Sequence, residues 1–109
     1  MPRLKLTFAC GRFDRMEALR SGEVQPEGIE LNYIPIEDSR ETFDRMVGGL
    51  EFDVSELSSS EFITMTARKQ CPFVALPVFP SRAFRLGHIY INRRAGIQAP
   101  RDLAGKRIG

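Results

Sequence analysis

The chain has no tryptophan, a single histidine (His88) and two cysteines (Cys10 and Cys71) among its 109 residues. The two thiols stand far apart without CxxC spacing, so the residues offer neither a disulfide framework nor a histidine–cysteine cluster for a metal ion. That inventory leaves the cofactor unknown. Lysine is also scarce, with Lys5, Lys69 and Lys106 set against thirteen arginines. The arginines are scattered and the net charge is only +2. Nucleic acid is therefore not an expected partner, since binding it requires a basic run or stripe. No stretch approaches the roughly 20 consecutive apolar residues of a membrane-spanning helix. The N-terminus, Met1 to Phe8, has no apolar signal core and no small-residue cleavage site, which gives the expectation of a cytoplasmic protein with both thiols reduced.

What is present is ordinary for a globular domain: 42% hydrophobic and 28% charged residues in one chain near the size at which a single core becomes adequate. Leu4, Leu6 and Phe8 alternate with Lys5, Thr7 and Ala9 as a strand. Phe13 to Ser21 suits a helix stopped by Gly22, and Ile29, Leu31 and Tyr33 form a second strand closed by Pro35. Asp38 or Ser39 caps a second helix reaching about Val47, with Phe43, Met46, Val47 and Leu50 as its apolar stripe and Gly48-Gly49 as its end. A strand over Phe52 to Val54 leads into a helix from Ser59 to Lys69. The apolar run Phe73 to Phe79 reads as a strand buried on both faces, although Pro77 weakens its second half, and His88 to Asn92 reads as another. Strand and helix thus alternate, which predicts an α/β fold: a mostly parallel sheet with flanking helices.

In such sheets ligands bind beyond the carboxyl ends of the strands. The loops expected there are Cys10-Gly11-Arg12, Ser55 to Ser60 and Pro80 to Arg85, all rich in Gly, Ser and Arg. The central stretch, Phe52-Asp53-Val54-Ser55-Glu56-Leu57-Ser58-Ser59-Ser60, runs from strand through a polar turn into a helix opening at Ser58 or Ser59. Its N–H groups and hydroxyls suit an anion, most simply a carboxylate, although an N-cap with two spare serines explains the same residues. Arginine is the better partner for planar carboxylates, while GC-rich coding gives the same arginine bias.

The blocks LKLTFACGRFDRMEALRSGEVQPEGIELNYIPIE, EFDVSELSSSEFI, PFVALPVFPSRAFRLGHIYIN and PRDLAGKRIG together resemble the 4,5-dihydroxyphthalate decarboxylase family over nearly the whole chain. FDVSE with the following serines, and PVFPSRxFR, are the most specific parts. The resemblance implies a type II periplasmic-binding-protein-like fold, shared with substrate-binding proteins of ABC importers, in which two α/β lobes hold a ligand between them. It implies that residues 1–104 form the N-terminal lobe, that 105–109 begin a crossover strand, and that a C-terminal lobe is missing. The expected activity of the whole enzyme is decarboxylation of 4,5-dihydroxyphthalate to protocatechuate and CO2, a step of aromatic-compound catabolism. The alternatives are a substrate-binding protein of an ABC importer for a small organic anion, or an inactive fragment. The expected partner is a small aromatic or other organic carboxylate, and an exposed inter-lobe face would favour a homo-oligomer.

Such a reaction requires a clamp for two carboxylates and an acid near the ring carbon. Arg82 and Arg85, then Arg12, are the candidate clamp, with Ser58, Ser59 and Ser81 as further substrate contacts; a solvated loop is the competing reading for the arginines. His88, the side chain with an ordinary pKa near neutrality, is either the proton donor or a hydrogen-bonded structural residue. Glu56 is either the acid, an orienting partner for an arginine, or an exposed loop carboxylate. Asp14 fits a first-turn helix carboxylate, Cys10 a small buried hydrophobe, and Phe13 and Phe84 either stack on an aromatic ligand or cap the core.

Overall fold

The computed structural model describes residues 1–109. Strand β1 (Leu4–Cys10) is followed by a 3-10 turn at Asp14–Met16, helix α1 (Glu17–Ser21), strand β2 (Ile29–Pro35), helix α2 (Ser39–Gly49), the short strand β3 (Val54–Ser55) and helix α3 (Ser59–Ala67). The three strands are parallel in the order β2-β1-β3, with Leu4 opposite Ile29, Phe8 opposite both Tyr33 and Val54, and Ala9 opposite Ser55. The two crossovers run in opposite directions across the sheet, from β1 to β2 and then from β2 past β1 to β3, so right-handed connections set α1 and α2 on opposite faces. The expected α/β class, a parallel sheet with flanking helices, is the observed one. No helix is long and apolar enough to cross a membrane.

Local chemistry accounts for the elements that form. Asp38 is the N-cap of α2, its carboxylate accepting the Arg40 N–H at 2.8 Å. The exposed face of α2 carries ion pairs at i,i+4, Arg40 to Asp44 and Glu41 to Arg45. Gly48 and Gly49 do not end this helix as expected. They stay helical, and Leu50 takes the left-handed cap at φ 50° with its N–H shared between the Arg45 and Met46 carbonyls. The expected helix from Phe13 begins one residue later, as a 3-10 turn that passes into α1 and closes on Gly22 at φ 80°. The core is small: Ala9 from β1, Met46 from α2, and Ile36 and Phe52 from the loops flanking α2, with Ile34 and Phe73 against them.

The third strand is two residues shorter at its start than the Phe52–Val54 pattern predicts, and a side chain fills the gap. Asp53 Oδ2 accepts both the Thr7 N–H at 2.7 Å and the Thr7 hydroxyl at 2.8 Å, while Thr7 Oγ1 accepts the Asp53 N–H at 3.0 Å. The carboxylate thus takes the place of a ladder bond that β3 is too short to make.

Two expected strands do not form. Residues 73–79 are extended but unpaired, and the chain turns at Pro77, where the Val78 N–H reaches back to the Leu76 carbonyl at 2.7 Å. A strand buried on both faces needs a long neighbour and covering helices, whereas β3 offers a two-residue edge. Residues 88–92 are likewise unpaired, with 3-10 turns at Leu86–His88 and Arg93–Ala95 on either side, and residues 105–109 make no strand pairing. The consequence is a large exposed surface. The chain presents 9229 Å² to solvent, against about 6,100 Å² for a compact monomer of this mass. Its radius of gyration is 19.0 Å, against about 13 Å for a compact chain of this length.

With so few core residues, each matters. Phe52→Ala is expected to cost roughly 3 kcal/mol in urea unfolding of this chain, since an almost wholly buried ring leaves a cavity the loop cannot fill. The Thr7 contacts, first through its N–H and then through its hydroxyl, hold the Asp53 carboxyl below its ordinary pKa. A depressed carboxylate adds stability that is complete above its unfolded value, about 3.9, and lost as pH falls through the folded one. Asp53→Asn is therefore expected to lower the urea midpoint at pH 7, with the difference from the native chain closing as the pH is taken below about 4.

Candidate functional site

The strand order places a topological switch point between β1 and β3, where one crossover departs toward β2 and the other arrives from it. The chain segments beyond those strand ends are Gly11 to Phe13 and Glu56 to Ser60. Glu56 is buried, at 8% exposure, rather than lying on an open loop. Its Oε1 accepts the Gly11 N–H at 2.9 Å, and its own N–H donates to the Ala9 carbonyl at 3.1 Å, prolonging the β1–β3 ladder past Ser55. From β2, the Tyr33 hydroxyl donates to the Gly11 carbonyl at 2.8 Å, while the Ile36 N–H donates to the Cys10 carbonyl at 3.2 Å. Tyr33 is fixed in turn by an edge-to-face contact with Phe8, ring centroids 5.1 Å apart.

The electrostatics follow from burial. Desolvation pushes the Cys10 thiol up from its usual pKa, opposed by a hydrogen bond with Tyr33 and reinforced by the nearby Glu56 charge. Burial, followed by the Cys10 contact, also drives the Tyr33 phenol well above its ordinary value. Cys10 is fully enclosed, as expected of a small buried hydrophobe. Gly11 is closely packed: a Cβ there would stand 3.2 Å from the Phe13 ring, tighter than side chains ordinarily pack, and in ordinary contact with Glu56 Oε1 at 3.5 Å.

Of the other candidate residues, Ser58 occupies the N-cap position of α3 without its side chain capping the helix; its hydroxyl lies 2.8 Å from that of Ser60 instead. The first-turn N–H groups of α3, including that of Ser59, therefore lack a side-chain acceptor. Arg12 is exposed and paired with Glu37 at 3.1 Å. Arg15, which the sequence pattern did not single out, lies over the Phe13 ring at 5.1 Å and donates from Nε to the Pro80 carbonyl. That contact ties the start of the Ser81–Arg85 loop to the turn after β1. Ser81, Arg82 and Arg85 follow on exposed backbone, and neither arginine makes an ion pair. His88 is exposed in a 3-10 turn that packs on no other element, so it is not brought to Glu56. Phe13 is half-buried beneath Arg15, whereas Phe84 is 94% exposed.

The arrangement thus has two parts. A rigid switch point is built from Gly11, Glu56, Tyr33 and Cys10, and beside it lies an open segment carrying two unpaired guanidinium groups. Gly11 and Tyr33 were missed as site residues because their partners lie 45 and 22 residues away in the chain. The available signal was that Gly11 and Glu56 both follow adjacent strand ends.

No family model matches the chain. Among curated proteins, all 109 residues align at 42% identity with a 4,5-dihydroxyphthalate decarboxylase of Comamonas testosteroni, of which the chain covers 33%. They align at 42% identity with a 4,5-dihydroxyphthalate decarboxylase of Pseudomonas putida, of which it covers 42%. The chain therefore spans between a third and a little over two fifths of the length of these relatives. Along its whole length, the chain is similar to two proteins named 4,5-dihydroxyphthalate decarboxylase.

Proposed function

We propose that residues 1–104 are the N-terminal α/β lobe of an aromatic-acid decarboxylase, with 105–109 leading toward a second lobe of periplasmic-binding-protein type, and that the whole enzyme converts 4,5-dihydroxyphthalate to protocatechuate and CO2. The observation that carries this reading is the 42% identity over every residue of the chain to two proteins of that name. The exposed apolar side chains of the extended segment, among them Val74, Leu76, Val78, Phe79 and Phe84, are those a completing lobe would cover.

In this reading Arg82 and Arg85, which have no carboxylate partner within the chain, grip the vicinal carboxylates of the substrate. Ser58, Ser59, Ser81 and the main chain at the switch point supply neutral donors, and Arg12 adds a third positive charge at the rim. His88, carried on the same segment as the arginines, is the proton donor. The ring hydroxyl para to the departing carboxylate raises electron density at the carbon that bears it. That carbon takes a proton, the bond to the carboxylate breaks, its electron pair restores the aromatic ring, and CO2 leaves. Placing the negative substrate among guanidinium groups and serine hydroxyls holds it for proton transfer.

The test is a chimera in which this chain replaces the matched segment of the Comamonas testosteroni protein. Release of CO2 from 4,5-dihydroxyphthalate is expected, with Arg82→Ala and Arg85→Ala each raising KM by about tenfold or more, the loss of a charge-assisted pair. His88→Asn is expected to lower kcat by roughly a hundredfold with KM little changed. Tight binding without CO2 would replace this reading with that of a substrate-binding protein for an organic anion.

A further inference from the structure

The two peptide planes that flank Gly11 are each held from outside the loop. In the first, the Cys10 carbonyl accepts the Ile36 N–H at 3.2 Å and the Gly11 N–H donates to Glu56 Oε1 at 2.9 Å, so both ends of that peptide are engaged. In the second, the Gly11 carbonyl accepts the Tyr33 hydroxyl at 2.8 Å. A trans peptide is planar, so fixing its carbonyl also fixes its N–H in the opposite direction. That N–H belongs to Arg12, and it donates to nothing within the chain. Gly11 itself is buried, and the Phe13 ring packs close to the place a side chain would need.

Three separate elements, β2, the turn after β2 and the turn after β3, therefore hold the peptides that set the direction of one unpaired backbone donor at the topological switch point. Glu56 is buried and the Tyr33 hydroxyl is committed to the Gly11 carbonyl, so both polar groups are already engaged with the loop. We propose that Glu56 and Tyr33 are positioning residues that lock the Gly11 peptides and so aim the Arg12 N–H at a carboxylate oxygen of the substrate. This assignment rests on the aromatic-carboxylate reading of the site and deepens it. It gives Glu56 a positioning role in place of the proton-donor role, since its Oε1 is engaged by the Gly11 N–H. It also gives Arg12 a main-chain function independent of its guanidinium, which is engaged by Glu37. A preorganised amide of this kind adds directional recognition of a carboxylate without the rotamer cost of a long side chain.

The experiment is a titration of the 15N-labelled chain with 4,5-dihydroxyphthalate, followed at each backbone amide. The Arg12 amide resonance is expected to move on binding, together with those of Ser58 to Ser60. Tyr33→Phe, which removes one hydroxyl, is expected to weaken binding about fivefold, the worth of one neutral hydrogen bond, and to shrink the Arg12 response. Glu56→Ala is expected to do the same, and Glu56→Gln, whose amide oxygen still accepts the Gly11 N–H, to recover most of that loss. Arg12→Gln keeps the main-chain donor and should retain the Arg12 amide response. Shifts at Ser58 to Ser60 with a still Arg12 amide would overturn this inference and leave the carboxylate reading standing. So would equal losses in Glu56→Gln and Glu56→Ala. An absence of shifts anywhere in the chain would overturn this inference, while release of CO2 by the chimera decides separately on the carboxylate reading.

Discussion

The hydrogen bond from the Gly11 N–H to the buried Glu56 carboxylate, 2.9 Å long, is the constraint on which the rest of this structure depends. It spans the two chain reversals that leave the central and third strands, and it lies where β3 has run out of backbone ladder. A charge-assisted bond in a buried setting is worth on the order of 1.5–3 kcal/mol, several times an exposed ion pair. Without it, β3 would be held to β1 by a two-residue register and by the Asp53–Thr7 contacts at its other end. Two carboxylates thus bracket the shortest strand of the sheet. One replaces a ladder bond before it and the other extends the attachment after it.

The surface ion pairs contribute far less. Arg40, Arg45 and Arg20 are each held by acidic neighbours on exposed helix faces, which draw their guanidinium groups firmly into the charged state. These pairs stiffen α1 and α2 but do not decide the fold. Arg82 and Arg85, on the exposed segment after Pro80, belong instead to the arginines that make no ion pair within the chain.

The sequence pattern located β1, β2, α2 and α3 to within a few residues because each follows from local rules: alternation in Leu4 to Phe8 and in Ile29 to Tyr33, an Asp cap at Asp38, and an apolar stripe through Met46. The burial of Cys10 was legible for the same reason, since it ends a strand whose last residues are the most enclosed. Glu56 was not legible. A carboxylate after a strand ordinarily faces solvent, and only the pairing of β1 with β3 brings it under the Gly11 peptide. The apolar segment at 73–79 was misread as a paired strand because composition reports how well a segment suits a sheet, not whether a sheet edge exists to receive it. The candidate site divides along the same line. Arg82, Arg85 and the serines are conspicuous as residue types, whereas Tyr33 and Gly11 acquire their place only through contacts between distant parts of the chain.

Pro77 reads as a defect when the segment around it is taken for a strand, yet its setting gives it a protective value. Val74 to Phe79 is uncharged, apolar and exposed, the composition of segments that stack into intermolecular sheets. Pro77 removes one donor from that backbone, and the tight turn between Leu76 and Val78 breaks the segment into pieces too short and too bent to template a second copy. The turn at Pro77 thereby works against this unpaired stretch joining another chain's sheet.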